Sequence, residues 1–382
     1  MSSEQIRKRQ QNRNSVLRML HFQGASTRGG LSAGCGIRKS SVTTIVQELL
    51  KEGLLKQEHP GYLRSRVLLN PESHHALVAQ ITPQAISFAR ISLDGSLTRV
   101  GSTPITLPLS PEHAIDVLCT GFEERIANGE GTTMGLGIAL PGPIDPDSGV
   151  VLASVNLGNW RSVALREAIA SRFEMPVIVD NDVRAQLWSC AWFDRLLAEA
   201  DSILYIGMLQ GVACATILHG QRVSGSRFLA GEIGHVRAGS EGRRCNCGKE
   251  DCLETYCGLP RIVQSIREEC HLDVAEPSQA AIAALLPDHP EVDTLLSGIA
   301  ERLAHYVAGL VVAMDPQMVV LGSEDEAFSK AAVRHLGKHL YSELLGLDTH
   351  NTELRTAEPT NTSTLKGIGG LVIENAFAGL QG

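Results

Sequence analysis

The sequence predicts an α/β protein in which a small, mostly helical N-terminal module precedes a larger body of two α/β lobes. Two observations support this fold class: apolar residues recur at helical spacing up to about residue 52, and strand and helix patterns alternate from residue 71 onward. A chain of 382 residues is long enough for two or three domains. The predicted domains are 1–70 for the module, 71–185 with a C-terminal helix at 366–382 for the first lobe, and 186–365 for the second lobe.

The N-terminal module combines three predicted helices with a β-hairpin. The predicted elements are helices over 11–22, 28–33 and 38–52, a turn at 34–36, and a hairpin over 54–69. Gly24 stops the first helix, and Pro60 and Gly61 form the tip of the hairpin. The third helix has an apolar stripe at i, i+3, i+4, i+7 and i+8, formed by Val42, Ile45, Val46, Leu49 and Leu50. This order of elements is that of a winged helix-turn-helix.

The third helix and the hairpin carry candidate DNA contacts. Opposite its apolar stripe, the helix has cations and short donors of the kind that reach phosphates and base edges in the major groove. The DNA-binding candidates are Arg28, Arg38, Lys39, Ser40, Ser41, Thr43, Thr44, Arg64 and Arg66. Arg28, at the start of the second helix, is equally consistent with a free surface arginine.

The charge distribution agrees with a nucleic-acid-binding module. Residues 1–70 contain 12 Lys and Arg against 4 Asp and Glu, whereas residues 71–382 contain 22 against 38. A basic segment on an acidic protein is typical of a DNA-binding module attached to another function. Charge alone also allows a solvated helix with surplus arginines, so the pattern of elements decides in favour of DNA binding.

The composition argues against a membrane or secreted protein. No apolar run reaches the roughly eighteen residues that span a bilayer, and no apolar segment of a secretory signal follows the basic N-terminus. Nine cysteines, an odd number, suit a reducing compartment better than a disulfide framework. We therefore expect a soluble, cytoplasmic protein.

The body alternates predicted strands with predicted helices. Two strands are expected within 77–92, others at 134–140, 176–179, 202–207, 212–218 and 318–321, and a long helix over 292–314. Strand 176–179 delivers Asp180, Asn181 and Asp182 to its C-terminal end. Ligand-contacting groups occupy this position in α/β folds, so these three residues are candidates for a ligand site.

Segment 231–256 contains a predicted zinc site. The candidate ligands are His235, Cys245, Cys247 and Cys252. One imidazole and three thiols form the ligand set of a closed tetrahedral zinc site, and on a Gly-rich, Arg-flanked loop the thiols have no apolar core to join. Two alternatives remain open. The four residues could be unconnected, or Cys257 could replace one ligand, although its spacing is more typical of the start of a helix.

Two carboxylates accompany these ligands. Glu232 lies three residues before His235, and Glu254 lies two residues after Cys252. Carboxylates held by a metal-bound loop can accept hydrogen bonds from vicinal hydroxyl groups. The motif therefore predicts a polyol site next to the metal.

This motif resembles the signature of the ROK family, a group of bacterial sugar kinases and sugar-responsive repressors. The family pattern is Gly-Glu-x-Gly-His followed by Cys-x-Cys-Gly-x-x-Gly-Cys-x-Glu, and Asp251 stands here where the family has glycine. Segment 40–55, S-S-V-T-T-I-V-Q-E-L-L-K-E-G-L-L, is similar to the DNA-binding head of ROK repressors, but the wing at 61–66 lacks the family's Gly-Arg-Pro. The resemblance covers 12–377 and implies a winged helix-turn-helix followed by a two-lobed, actin-like sugar kinase body.

The resemblance also implies a sugar site and a Zn²⁺ cofactor. The implied sugar-binding residues are Asn156, Asn181, Asp182, Glu232, His235 and Glu254, with Trp160 in the same motif as Asn156. Asp182 occupies the position of the catalytic base of the kinases, the group that takes a proton from the attacking hydroxyl.

Three elements that bind ATP in ROK kinases are degraded in this chain. Gln80 and Pro83 lie in place of an Asp-x-Gly-Gly-Thr turn, so an amide replaces the magnesium-binding aspartate and proline removes an N–H donor. The run at 209–215 keeps one glycine where the kinases have a Gly-Thr-Gly-x-Gly-Gly-Gly run, and Gly322-Ser323 replaces a Gly-Gly pair. We therefore expect no enzyme activity, with Asp182 as the vestige of a base.

The expected function is a DNA-binding transcriptional regulator, implied to be a repressor, whose body senses a sugar or sugar phosphate. The expected partners are operator DNA, this effector and a second copy of the chain, in a homodimer or higher oligomer joined through the second lobe. The alternative is an ATP-dependent sugar kinase with an accessory DNA-binding head. A third hypothesis is a DNA-bound partner of a transport protein that responds to no small molecule.

Overall fold

The computed structural model describes residues 3–62, 64–129, 131–158, 160–208, 211–274, 276–344 and 352–379. The helices are α1 (Ser3–Gln23), α2 (Arg28–Cys35), α3 (Lys39–Lys51), α4 (Pro111–Ala127), α5 (Leu165–Ala170), α6 (Asp182–Trp192), α7 (Glu254–Cys257), α8 (Leu259–Glu269), α9 (Gln279–Leu285), α10 (Pro290–Met314), α11 (Glu326–Glu343) and α12 (Ser363–Ala378). The strands are β1 (Leu55–Gln57), β2 (Val67–Leu69), β3 (His74–Ile81), β4 (Ala85–Ser92), β5 (Leu97–Pro104), β6 (Thr132–Leu140), β7 (Ile144–Asp145), β8 (Val150–Ser154), β9 (Trp160–Val163), β10 (Val177–Asn181), β11 (Ile203–Met208), β12 (Val212–Leu218), β13 (Gln221–Val223), β14 (Met318–Gly322) and β15 (Glu353–Thr356). Leu63, Leu209, Gln210 and 380–382, which the sequence analysis used, lie outside the described residues.

The N-terminal module is a winged helix-turn-helix, as predicted. Thr27 caps α2 by accepting a hydrogen bond from the Gly30 N–H, and Gly36 ends that helix with a φ of 66°, in the left-handed region that favours glycine. Four residues of the predicted apolar stripe of α3 are buried and the fifth, Leu50, is half-buried, and β1 pairs antiparallel with β2 to form the wing. These contacts give the module a core of its own.

The chain folds into two compact units. Unit 1 comprises 1–153, 157–195 and 364–382, and unit 2 comprises 154–156 and 196–363. The division at 195/196 lies ten residues beyond the predicted domain boundary, because α6 continues to Trp192 and is buried in unit 1 along its length. The winged helix-turn-helix belongs to unit 1.

Each unit has a five-stranded mixed sheet with the same topology. In unit 1 the strand order is β10-β6-β3-β4-β5, with β3, β6 and β10 parallel and β3, β4 and β5 forming an antiparallel meander. In unit 2 the order is β13-β12-β11-β14-β15, with β11, β14 and β15 parallel and β11, β12 and β13 antiparallel. Matching sheets in two lobes confirm the predicted actin-like α/β body.

The apolar strands of the two five-stranded sheets were predicted to within a few residues, whereas their polar edge strands and the three strands of the small sheet β7-β8-β9 were missed. The predicted strand 212–218 coincides with β12, and the predicted helix 292–314 lies within α10. The missed strands β5 and β15 lie at sheet edges and carry exposed polar residues, so they lack an apolar pattern. Helix α1 begins at Ser3 instead of residue 11, because its polar first turns are held by charge pairs instead of by an apolar stripe.

One described helix, α10, is long and apolar enough to cross a membrane by length and composition. Its side chains Val292, Leu303 and Val307 are fully or almost fully buried in the core of unit 2. This burial is that of a core helix in a globular lobe.

Candidate functional site

The four predicted metal ligands converge in unit 2. The candidate ligand atoms of His235, Cys245, Cys247 and Cys252 all lie within 4.8 Å of one another. The Sγ atoms of Cys247 and Cys252 are 3.6 Å apart, and Cys245 Sγ lies 3.6 Å from His235 Nδ1. A tetrahedral zinc ion with bonds of about 2.0–2.3 Å separates its ligands by nearly these distances, so the cluster could hold such a metal.

Two glycines bring the metal-site segment against strand β12. Gly231 has a φ of 102°, its carbonyl accepts a hydrogen bond from the Cys214 N–H at 2.8 Å, and a Cβ here would collide with the Cys214 carbonyl oxygen. A Cβ at Gly234 would likewise collide with the carbonyl oxygen of Val212. The close approach to β12 therefore requires glycine at both positions, and it fixes His235 one residue later.

The site has a buried anionic anchor that the sequence analysis missed. Asp251 is 1% exposed, and its carboxylate accepts hydrogen bonds from the backbone N–H groups of Glu241, Gly242 and Arg243 and from the Tyr256 hydroxyl at 2.7 Å. The Tyr256 hydroxyl and these N–H groups lower the pKa of Asp251. The residue has a φ of 59°, in the left-handed region that favours the glycine of the ROK pattern. Asp251 therefore has a structural role: it holds segment 241–243 against segment 245–252, which carries the three cysteines of the cluster and which we call the metal loop.

We expect Asp251→Gly to loosen the metal loop although it restores the family residue. Glycine relieves the left-handed backbone strain but leaves three N–H groups and a buried hydroxyl without their acceptor. The melting temperature should fall by about 5 °C or more, measured by calorimetry on the metal-loaded protein. Glu250→Gly, at the exposed neighbouring position, is the control and should change it less. Equal melting temperatures for Asp251→Gly and the parent would contradict the anchor.

Glu254 connects the metal cluster to the predicted sugar-binding carboxylates. Its Oε1 accepts a hydrogen bond from the Cys245 thiol at 2.8 Å and lies 3.5 Å from His235 Nδ1. The other ring nitrogen, His235 Nε2, lies 3.8 Å from Glu232 Oε2. Burial and the Glu254 carboxylate raise the pKa of the Cys245 thiol above its usual range, so metal binding must displace this proton. His235 therefore has one nitrogen towards the metal ligands and one towards Glu232.

Cys257 is a core residue. It is fully buried, its thiol lies 3.7 Å from the Ile299 carbonyl oxygen, and burial raises its pKa to about 12. It is absent from the metal-type cluster found among the described residues. These contacts favour the four-ligand set without Cys257.

The predicted sugar-binding residues of unit 1 lie at the start of α6. The Asn181 side chain caps α6 by accepting hydrogen bonds from the N–H groups of Val183 and Arg184, and its amide donates to the Gly142 carbonyl at 3.1 Å. Asp182 is half-buried, and burial raises its pKa to about 6. The buried Asp180–Arg184 ion pair, at 2.6 Å, fixes the adjoining turn. Asn181 therefore has one remaining amide N–H for a ligand, whereas Asp182 offers a carboxylate of perturbed pKa.

Asn156 and Trp160 have different environments. The side-chain oxygen of Asn156 lies 3.5 Å from the amide nitrogen of Asn246, which belongs to the Cys-x-Cys segment of the same unit. Trp160 is 2% exposed, and its indole N–H donates to the Leu109 carbonyl at 2.7 Å. Asn156 can therefore serve the site next to the metal loop, while Trp160 supports the fold of unit 1.

The turn at 82–85, which the sequence analysis compared with a phosphate loop of the kinases, forms hydrogen bonds within itself. The Thr82 Oγ1 atom accepts hydrogen bonds from the N–H groups of Gln84 and Ala85, and Pro83 has no N–H to offer. The Thr82 N–H donates to the Ala85 carbonyl at 2.9 Å. Every N–H of this turn is therefore committed within the turn.

A second hydrogen-bond network includes Ser323, in the pair Gly322-Ser323. Gln279, which is 2% exposed, accepts hydrogen bonds from the Ser323 hydroxyl and the Glu324 N–H, both at 2.7 Å. Its amide donates to the Met208 carbonyl at 2.6 Å. These groups are satisfied by protein partners, so a nucleotide would have to displace them.

The start of α3 is the cationic surface of the head. Arg38, Lys39 and Ser40 are exposed, and the hydroxyls of Thr43 and Thr44 donate to the Lys39 and Ser40 carbonyls at 2.9 and 3.2 Å. The two threonines therefore keep only acceptor capacity for a base edge or a water. Ser41 is half-buried, so it contributes less surface than its neighbours.

The two candidate arginines of the wing, Arg64 and Arg66, have different surroundings. Arg66 donates through Nε and Nη2 to the Ala25 carbonyl, at 3.2 and 2.6 Å, and lies 3.5 Å from Glu58. It therefore fastens the wing to the turn between α1 and α2. Arg64 is exposed beside the tip, and Arg28 is half-buried at the first position of α2. Arg66 is exposed as well, but its guanidinium is already engaged by the Ala25 carbonyl.

A winged helix-turn-helix joined to two lobes of matching topology, one with a Cys₃His cluster, defines the architectural class of this protein. A family model described as the ROK family matches residues 106–375. The chain belongs to the ROK family.

Full-length similarity extends to regulators, and partial similarity to kinases. The xylose repressor of Caldicellulosiruptor bescii is 23% identical over 392 aligned positions, covering 97% of each chain. A solved ROK family transcriptional regulator, a homolog of the E. coli MLC protein, has a TM-score of 0.81 at 20% identity and 97% coverage of each chain. A ROK glucokinase from Streptomyces griseus, solved with glucose and AMPPNP, has a TM-score of 0.67 at 20% identity, covering 78% of this chain and 98% of its own.

Proposed function

We propose that this protein is a DNA-binding transcriptional regulator, with repression as its sign, whose body binds a sugar or sugar phosphate. The observation that carries the proposal is the winged helix-turn-helix with exposed Arg38, Lys39 and Ser40 at the start of α3. Cations at this position can reach phosphates and guanine edges when the helix enters the major groove. The full-length similarity to a xylose repressor supports the same function.

We propose that the effector is bound by the side-chain amides and carboxylates of Asn156, Asn181, Asp182, Glu232 and Glu254, and by the imidazole of His235. The Cys₃His cluster would hold Zn²⁺ and thereby fix His235 and Glu254 for hydroxyl recognition. We further propose a cytoplasmic homodimer, because a palindromic operator mirrors two-fold protein symmetry and reduced thiols need a reducing compartment.

Loss of the cations on α3 should test the proposal most directly. The double substitution Arg38→Ala with Lys39→Ala is expected to weaken binding to DNA selected from a random duplex pool by tenfold or more. The salt dependence should also become shallower by about one unit of slope per lost phosphate contact. The measurement is fluorescence anisotropy at several salt concentrations.

The matched control is Lys51→Ala, an exposed lysine at the opposite end of the same helix. It should leave affinity within about twofold, since the lysine lies roughly 18 Å along the helix from Lys39. Failure to select any DNA, or equal losses for the double substitution and the control, would refute the assignment.

The kinase alternative rests on one observation. Asp182 has a pKa raised to about 6 by burial, the kind of shift that suits a general base near neutral pH. The committed N–H groups of the Thr82–Ala85 turn oppose this alternative, since they leave no donor there for a phosphate.

A further inference from the structure

The DNA-binding head contacts the first lobe through an aromatic stack. His21, which is 8% exposed, stacks on Trp192 with ring centroids 4.4 Å apart and an interplanar angle of 21°. His21 Nε2 lies 2.9 Å from the Trp192 carbonyl oxygen, which can only accept, so this nitrogen carries a proton. The Arg18 guanidinium lies 5.1 Å from the Trp192 ring centroid and donates to Glu374 of α12 at 2.5 Å. We call these contacts of Arg18 and His21 the α1–α6 joint.

Helix α6 joins this contact to the predicted effector site. It begins at Asp182 and ends at Trp192, so the two residues lie about 15 Å apart along one helix. Every residue from Val183 to Trp192 is buried. A Cβ at Gly367 of α12 would collide with the Ala185 carbonyl oxygen, so the two helices are packed backbone to backbone. A helix packed this closely moves as a rigid element, and a displacement of its first turn displaces Trp192.

Helix α1 carries the contact onward to the DNA-binding surface. Arg13 donates through Nη1 to Glu52, just beyond α3, at 2.8 Å, and Arg9 pairs with Glu48 of α3. Val16, Leu17 and Leu20 of α1 are also buried in the head. The first half of α1 therefore contacts α3, and its last turns contact α6.

We propose that Arg18, His21 and Trp192 are positioning residues. They set the orientation of the DNA-binding head in response to a change at Asp182, at the other end of α6, such as the binding of an effector. This inference rests on the proposed function, because it assigns the route between the effector site and the head. An effector can change DNA affinity only if it stabilises one of two arrangements more than the other. Within unit 1, the two arrangements would differ in the contacts of the α1–α6 joint.

The test is a double-mutant cycle in the full-length protein between Asp182→Asn and His21→Ala. The first readout is hydrogen exchange of the backbone amides of 17–23, which needs neither DNA nor sugar. The second is affinity for DNA selected from a random pool. Substitutions this far apart act additively to within about twofold unless the intervening structure couples them.

We expect Asp182→Asn to change exchange over 17–23 by fivefold or more in the parent, and by less than twofold with His21→Ala. The control is Gln11→Ala, an exposed position on α1, which should leave the effect of Asp182→Asn intact. His21→Phe keeps an aromatic stack but removes the hydrogen bond, and Arg18→Gln removes the cation. These milder variants provide the same cycle if His21→Ala is poorly folded.

The outcomes separate the joint from the proposed function. Additive effects, or no effect of Asp182→Asn on α1, would overturn the joint even if the protein binds DNA tightly. Coupled exchange in a protein that selects no DNA would refute the regulator function and leave the joint standing. If the protein shows both coupled exchange and DNA binding, the two substitutions should also be coupled in their effects on DNA affinity. The expected coupling factor lies within the range of about 5 to 150 that is typical of allosteric proteins.

Discussion

The purified protein is expected to release ADP from ATP and magnesium, with any sugar that it binds, at well below the 1 s⁻¹ that marks the lower end of ordinary kinases. Phosphoryl transfer depends on positioning and on neutralising charge, for which phosphate loops provide backbone N–H groups. Here the Thr82 Oγ1 atom takes the N–H groups of Gln84 and Ala85, Pro83 has none, and Gln80 replaces the metal-binding aspartate of the kinases. A remaining base at Asp182 typically supplies only about 10² to 10⁴ in rate.

The assay is coupled ADP release over hexoses, pentoses, N-acetyl amino sugars and their phosphates, each first screened for binding by thermal shift. Asp182→Asn is the matched variant, and a ROK glucokinase is the positive control for the coupling system. Turnover of 1 s⁻¹ or more that disappears in Asp182→Asn would overturn the regulator function and establish the kinase alternative. Sugar binding without turnover, in both the parent and the variant, is the expected result.

Cys245→Ser is expected to lower the bound zinc from about one equivalent to less than half, because a closed site needs all four ligands. Zinc binding and local folding are a single process in such loops, and in zinc-finger peptides the metal contributes on the order of 10 kcal/mol. We therefore expect the melting temperature to fall by roughly 10 °C, and sugar binding to weaken, as His235 and Glu254 lose their common anchor. Metal analysis, calorimetry and sugar titration measure the three effects.

Cys270→Ser is the matched control for this substitution. Cys270 is a half-buried cysteine of the same unit outside the metal cluster, so its loss should leave the zinc content unchanged. A parent protein with less than about half an equivalent of zinc, and equal sugar affinity with Cys245→Ser, would contradict the metal assignment.

The Cys₃His cluster and the elements of the head could be predicted because their signals are local. Three thiols and one imidazole within eighteen positions define a ligand set by composition, and the structure brings His235, Cys245, Cys247 and Cys252 within 4.8 Å. The apolar stripe of α3 repeats with a helical period, which can be recognised without knowing what the helix packs against. The degraded phosphate turn could likewise be identified, since proline at 83 has no N–H in any fold.

Contacts between residues distant in sequence could not be predicted. Asp251 looked like a neutral departure from a family glycine, because nothing local indicates that three N–H groups and the Tyr256 hydroxyl converge on it. Arg66 stays a candidate DNA contact, but the fold also brings the Ala25 carbonyl within 2.6 Å of its guanidinium, a partner that no local pattern indicates. In both cases the partner is chosen by tertiary packing.

Local sequence was enough to identify the residue types of the Cys₃His cluster, the helical pattern of the head and the departures from the glycine patterns of ROK kinases. Only the tertiary structure decided which polar groups are already satisfied and which helices join the sites. Trp192 and His21 are separated by 171 residues, and neither lies in a motif that the sequence analysis identified. Their stack exists because α1, α6 and α12 bury their apolar faces together, and burial is a property of the whole chain that no local pattern records.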